Sequence, residues 1–180
     1  MYGLVRDKEA LCGHMRSETV PRGEFMELTQ GSLTDMDENE KKELLAQLPL
    51  EQMIDKAYAM LGVAYTPYSH WKVGAALLSA DGRIWGGCNI ENAAYGPSNC
   101  AERTAVFKAV SEGVRDFKAI VVVGGHEGHV EGYCPPCGVC RQVLAEFCKA
   151  DFLVILPKSR TEYKIKTLAE LLPESFSLPE

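Results

Sequence analysis

Two short runs of the chain carry reactive side chains at spacings that matter, Cys100-Ala101-Glu102 and Pro136-Cys137-Gly138-Val139-Cys140. Cys137 and Cys140 stand three apart at the start of a predicted helix, so both sulfurs can face one point, as a paired zinc ligand requires. Cys100, at the start of another predicted helix, can supply a third thiolate. Three protein ligands leave the fourth tetrahedral position open to water, and that opening separates a catalytic zinc from a closed structural one. Glu102 is the carboxylate expected beside that water. Zn²⁺ with three thiolates carries a net −1, which opposes ionisation of the water. Two helix N-termini, each worth about +0.5 charge, offset about one unit of it. Arg103 and Arg141, both close to ligands in sequence, are expected to hydrogen-bond the sulfurs.

Rival readings exist for the same cysteines. Cys134-Pro135-Pro136-Cys137 is a second C-x-x-C that overlaps the first and leaves the choice of pair open. The two prolines favour Cys137 with Cys140, because they hold Cys134 off the helix that must aim the sulfurs. His126 and His129 could join Cys137 and Cys140 in a closed structural site, a reading that leaves Cys100-Ala101-Glu102 without purpose. Glu102 alone would be an ordinary acid at a helix start. Its weight comes from the cysteines around it.

The chain has 180 residues, a formal charge of −6 and 46% hydrophobic residues. A chain of this length buries about 70% of its unfolded surface and needs no metal to hold a core, so a bound metal is expected to do chemistry. The acidic balance argues against polynucleotides, whose affinity comes from Lys and Arg releasing counterions. A small neutral substrate fits better. Residues 1–10 show no apolar core of a signal segment, and no apolar run approaches the roughly 20 residues that span a bilayer. Cytoplasmic location without membrane or nucleic-acid partners is the expectation. Seven cysteines, an odd number, speak for metal or catalysis over a disulfide framework.

Periodicity supplies the elements that must position these groups. Residues 1–33 read as a loose extension, and 34–47 as a helix opened by a capping box at Thr34 to Asp37. Ile54, Tyr58, Leu61 and Tyr65 mark one face of a helix running from Leu50 to Tyr65. Residues 72–79 and 83–90 form a hairpin around Ala80-Asp81-Gly82. Helices follow at 101–112 and 138–149 and a helical turn at 168–172. Strands follow at 118–123, 152–156 and 162–166, with a glycine-rich loop at 124–132. The order gives an α/β layered domain with a mixed sheet of five strands.

Longer runs resemble the cytidine deaminase family: Tyr68-Ser69-His70, Val73-Gly74-Ala75-Ala76, residues 87–95 (GCNIENAAY), 99–105 (NCAERTA), 136–142 (PCGVCRQ) and 171–176 (LLPESF). The non-ligand Glu and the Pro-Cys-x-x-Cys pair are a known signature of zinc deaminases. The resemblance spans residue 50 to the end as a catalytic domain and leaves 1–49 as an N-terminal extension.

It implies a three-layer α/β/α fold and one zinc per chain on Cys100, Cys137 and Cys140, with Glu102 as proton shuttle. The implied reaction is hydrolysis of the C–N bond of cytidine or 2′-deoxycytidine in pyrimidine salvage. Asn89 and Glu91 match positions that bind the ribose hydroxyls, a role an amide and a carboxylate alternating to one face can perform. Ala101 matches one whose backbone meets the base. Tyr95 and Phe176 match residues reaching a neighbouring subunit's pocket, which implies a homotetramer with shared active sites. Trp71-Lys72 stands where Phe-Pro is expected, putting a larger aromatic wall against the base, and Gly96-Pro97-Ser98 also departs from the pattern. A deaminase of polynucleotides, or of a base-containing antibiotic, would use the same zinc chemistry.

Overall fold

A computed structural model describes Leu33 and residues 36–178; the expected loose extension, Leu33 apart, lies outside the described residues, as does Thr34. Five strands form one mixed sheet: β1 Trp71–Ser79, β2 Ile84–Cys88, β3 Phe117–His126, β4 Leu153–Pro157 and β5 Tyr163–Thr167. Their spatial order is β2-β1-β3-β4-β5. Only β3 and β4 run parallel, joined through the helix α4 (Gly138–Phe147); the other neighbours are antiparallel.

Alternate residues of each strand enter opposite cores. Ala76, Leu78, Val121, Val123, Leu153 and Ile155 face α1 (Glu38–Ala46) and α2 (Leu50–Leu61). Ala75, Leu77, Ile120, Val122 and Val154 face α3 (Ala101–Ser111), α4 and the short α5 (Leu168–Leu171). The central strands read as unbroken apolar runs because helices cover both faces, the three-layer arrangement.

Three boundaries differ from the sequence reading. The described cap of α1 is Asp37: its Oδ1 accepts from the Asn39 and Glu40 N–H groups at 2.7 and 2.9 Å, and Glu40 accepts from the Asp37 N–H at 2.7 Å. Helix α2 stops at Leu61, which frees Tyr65 to form a β-bridge with Ile90. Strand β3 continues through Gly124, Gly125 and His126 instead of yielding to a loop. Those glycines serve close approach: a Cβ on Gly125 would lie 1.7 Å from the His129 carbonyl oxygen.

Helix α3 rests almost directly on β2. A Cβ at Gly87 would lie 2.3 Å from the Ala101 carbonyl oxygen and 2.5 Å from the Ala105 nitrogen. The bare backbone of Gly87 therefore sets the depth at which the first turn of α3 sits.

Candidate active site

Cys100 is the N-cap of α3 and Cys137 the N-cap of α4, both in extended conformation and neither using its side chain to cap. A residue at this position normally turns an oxygen onto the first-turn amides. Here each sulfur is left free at the positive end of a helix, where a thiolate is favoured. Cys140 follows three residues after Cys137, on the same side of α4. The three sulfurs lie within 4.8 Å of one another, with Cys100 to Cys137 at 3.9 Å and Cys137 to Cys140 at 3.6 Å.

Sulfurs about 2.3 Å from a zinc at tetrahedral angles stand about 3.8 Å apart, so the triad has the spacing the ion demands. Among the described residues it is the one cluster of three or more His, Cys, Asp or Glu able to hold a metal. The closed site with His126 and His129 does not form: His126 ends β3 opposite Trp71, its ring 6.2 Å from that of His70.

Cys100 and Cys140 together carry one negative charge more readily than two. The hydrogen bond with Cys140, aided by Arg103, brings the Cys100 thiol down to about 5, while the same contact and burial push Cys140 up. A divalent cation reverses that opposition, and its binding releases thiol protons. Arg103 Nη2 reaches Cys100 Sγ at 3.6 Å and the Ser98 carbonyl at 3.3 Å.

Arg141 does something else. Its guanidinium donates to the carbonyls of Pro136 at 2.8 Å and Leu171 at 2.7 Å, bracing the backbone before Cys137 instead of a sulfur. Spacing alone does not separate the two arginines, since Arg103 follows Cys100 by three residues and Arg141 follows Cys137 by four; the carbonyls of Pro136 and Leu171 lie within reach of Arg141 and take its guanidinium.

Glu102 is 4% exposed, in the first turn of α3. Burial, reinforced by the Cys100 thiolate, holds its carboxyl above the usual carboxylate range. Ala101 is fully buried with its carbonyl against Gly87, so its backbone N–H, without an intrahelical acceptor in the first turn, is the group that can meet a ligand.

Asn89 and Glu91 flank Ile90, whose N–H and C=O both pair with Asn99, the residue before Cys100, at 2.9 Å. This bridge carries them to the zinc corner. Both are already engaged there, which the sequence did not reveal. Asn89 Oδ1 accepts from the Val73 N–H and its Nδ2 donates to the Trp71 carbonyl, each at 2.8 Å. Glu91 accepts from the Tyr68 and Ser69 N–H groups at 3.0 and 3.2 Å and from the Ser69 hydroxyl. Ser69 Oγ accepts in turn from the Trp71 N–H at 3.0 Å. An amide has two donors and two acceptor sites, and a carboxylate about four acceptor sites, so both keep capacity for a hydroxyl.

Two non-glycine residues in left-handed conformation close the rim, His70 at φ 56° and Glu127 at φ 51°. The Glu127 N–H donates to the His70 carbonyl at 2.7 Å, and His70 Nδ1 lies 3.2 Å from Glu127 Oε1. Trp71 is half exposed at the start of β1. Tyr95 is 95% exposed, and Phe176 projects outward while Gln142 Nε2 holds its carbonyl at 3.2 Å. Among the described residues no helix is long and apolar enough to cross a membrane.

Residues 49–156 match the family described as the cytidine and deoxycytidylate deaminase zinc-binding region. The chain is 52% identical over 130 residues to a cytidine deaminase of Sporosarcina psychrophila, covering 72% of this chain and 93% of that one. A probable cytidine deaminase of Dictyostelium discoideum is 46% identical over 132 residues, 73% of this chain and 86% of the relative. Among solved structures, the cytidine deaminase of Burkholderia pseudomallei aligns with a TM-score of 0.64 at 45% identity, over 69% of this chain and 97% of its own. That of Mycobacterium tuberculosis aligns with the same TM-score at 36% identity, over 73% and 100%. The triad of sulfurs at two helix starts, the buried glutamate beside it and this likeness over most of the folded chain agree: the protein belongs to the zinc-binding cytidine and deoxycytidylate deaminase family.

Proposed function

We propose that this protein hydrolyses the exocyclic amine of cytidine and 2′-deoxycytidine, releasing ammonia and leaving the corresponding uridine. The observation that carries the reading is Glu102, buried two residues after Cys100 and beside a triad of sulfurs spaced for zinc. Its relatives carry the name cytidine deaminase at up to 52% identity.

Cys100, Cys137 and Cys140 would hold the zinc, which when bound would supply a Lewis acid able to make water nucleophilic near neutral pH. Glu102 would take a proton from the attacking water and deliver it to ring N3, which opens C4 of the base to the water oxygen. Once that oxygen has added to C4, the same carboxyl takes the second proton from the new C4 hydroxyl and carries it to the amine, so that the C4–N bond breaks, ammonia leaves and the C4 carbonyl of uridine remains. Its raised pKa suits both transfers, since a shuttle works best near the pKa of the groups it serves. Arg103 offsets thiolate charge through its bond to Cys100, and Arg141 keeps Cys137 in place through Pro136. The Ala101 N–H meets the base, Asn89 and Glu91 take the ribose hydroxyls, and Trp71 walls the base.

The active form is a homotetramer in which Tyr95 and Phe176 complete a neighbour's pocket; their exposure on their own chain supports this. Residues 50–180 make up the catalytic domain and 1–49 an extension to it. The enzyme serves pyrimidine salvage in the cytoplasm, a reducing compartment that suits the six described cysteines, all free. A formal charge of −6 favours the free nucleoside over a polynucleotide.

Ultraviolet-monitored turnover of cytidine, with zinc content measured on the same sample, tests the reading. About one zinc per chain is expected, and Glu102→Gln keeps the metal but loses about 10³-fold in kcat. An active Gln variant removes the shuttle role, and turnover of a single-stranded oligonucleotide alone overturns the substrate.

A further inference from the structure

Strand β2 is an edge of the sheet, so the side of it turned away from β1 needs partners of its own. The Ser79 N–H bonds the Arg83 carbonyl and the Asn89 N–H bonds the Val73 carbonyl, which puts the odd-numbered residues of this strand on the hydrogen-bonded rungs with β1. Rungs of an antiparallel pair alternate. Cys88, opposite Gly74, therefore turns its backbone groups outward. Its carbonyl accepts there from the Thr104 hydroxyl at 2.9 Å.

Thr104, the fourth residue of α3, is half-buried and does more with the same oxygen. Its Oγ1 accepts from Asn99 Nδ2 at 3.1 Å and lies 3.2 Å from the Cys100 carbonyl, which already takes the Thr104 N–H at 3.1 Å. A hydroxyl has one proton to give, and the shorter contact assigns it to Cys88. Asn99 in turn exchanges two backbone bonds with Ile90, each at 2.9 Å. Ile90 has the same parity as Cys88, so Thr104 and Asn99 supply successive rungs along the outer side of the stretch that carries Asn89 and Glu91. The Cys88 carbonyl and the Asn89 N–H belong to one peptide plane. Helix α3 holds one end of that plane and β1 the other, so it cannot turn without losing a bond.

We infer that Thr104 is a positioning residue: its hydroxyl ties the strand end bearing Asn89 and Glu91 to the helix bearing Ala101 and Glu102, and so sets the distance between sugar recognition and the chemistry at the base. The consequence for substrates rests on the nucleoside deaminase reading; the tie itself does not. Cys100 needs no such hydroxyl, because the depth of α3 is set by its contact with Gly87. Losing the Thr104 hydroxyl therefore leaves the zinc ligands in place and loosens the sugar pair.

The test uses the zinc-loaded enzyme with Thr104→Val, which keeps the branched shape and helix propensity but has neither donor nor acceptor. Hydrogen exchange in the substrate-free protein reads the tie directly. The amides of residues 89–91 are expected to exchange about fivefold faster, the scale of one net hydrogen bond, while those of β3 stay unchanged. In turnover, kcat/KM for cytidine falls about fivefold more than that for 3′-deoxycytidine, which lacks a hydroxyl that Asn89 and Glu91 would take. Thr104→Ser, which retains the hydroxyl, keeps both exchange and discrimination near wild type. Asn99→Ala deletes the donor to Thr104 without altering the helix, shifts both readouts the same way, and serves if Thr104→Val does not fold. Unchanged exchange at residues 89–91, equal losses on the two nucleosides, or loss of zinc in Thr104→Val overturns the inference. So does a Ser variant as impaired as the Val variant, which would assign the role to the methyl group. If the wild type turns over neither nucleoside, the substrate reading fails while hydrogen exchange still decides the role of Thr104.

Discussion

The zinc corner and the rim of the pocket are built by different means. At the corner, Cys100, Cys137 and Cys140 are fixed by two helix starts, and α3 is pressed onto β2 at Gly87. The position of each sulfur follows from backbone geometry and a packed core. At the rim, residues 66–71 and 126–129 are held by side-chain bonds from Glu91, Asn89 and Ser69 and by the His70–Glu127 clasp, with much of the segment exposed. On the proposed function, chemistry falls to the region fixed by the core and recognition to the one held by side-chain bonds. Changes at the corner should abolish turnover, whereas changes at the rim should shift substrate affinity.

The widest gap between the two regions is expected from Cys140→Ala. It removes a buried ligand, so zinc content and activity fall together to background, read by metal analysis and cytidine turnover. Gly87→Ala comes next. Its methyl group would overlap backbone atoms of α3, which cannot yield as a side-chain tip would. A loss of about 2 kcal/mol is expected, seen as a fall of roughly 4–8 °C in Tm, with kcat reduced because Glu102 moves with the helix. Normal stability in this variant would detach the corner from its seat.

Ser69→Ala belongs to the rim and sharpens the contrast. It deletes the link between Glu91 and the Trp71 backbone, and a rise in KM of a few fold with kcat nearly intact is expected. A drop in kcat alone would place the rim in the chemistry. The smallest effect is a pH dependence of stability. Hydrogen bonds from Ser69 and the Tyr68 N–H hold the Glu91 carboxyl below its ordinary 4.5. A depressed pKa contributes stability that is present above 4.5 and lost as pH falls through the folded value. Between about pH 5 and about pH 3 the wild-type Tm should therefore fall more steeply than that of Glu91→Gln.

What could be read in the sequence follows the same division. Cys100-Ala101-Glu102 and the Cys137–Cys140 pair were legible because helix starts are local and a three-residue spacing fixes which side chains share a face. Four strands were legible from their apolar runs and the last, Tyr163–Thr167, from its alternation. Arg141 was expected on a sulfur and bonds the Pro136 and Leu171 carbonyls instead, and the second of these arrives from thirty residues later in the chain. The glycines at 124 and 125 looked like a loop, since the neighbours that demand them, Cys134 and the His129 carbonyl, arrive from later in the chain. The engagement of Asn89 and Glu91 with residues 68–73 joins segments about twenty residues apart, and no local pattern records it.

The two N-cap cysteines also have a consequence for the lifetime of the protein. Cys100 and Cys137 are 37 residues apart, so an ion that joins them closes a loop containing all of α3 and β3. Closing such a loop removes chain entropy from the unfolded ensemble, and the gain goes to whichever state holds the metal. The fold has enough core to form without this staple. The metal-loaded chain nonetheless opens less often, so proteases should separate loaded molecules from empty ones, and the cell's zinc supply should govern how long each copy survives as well as whether it works.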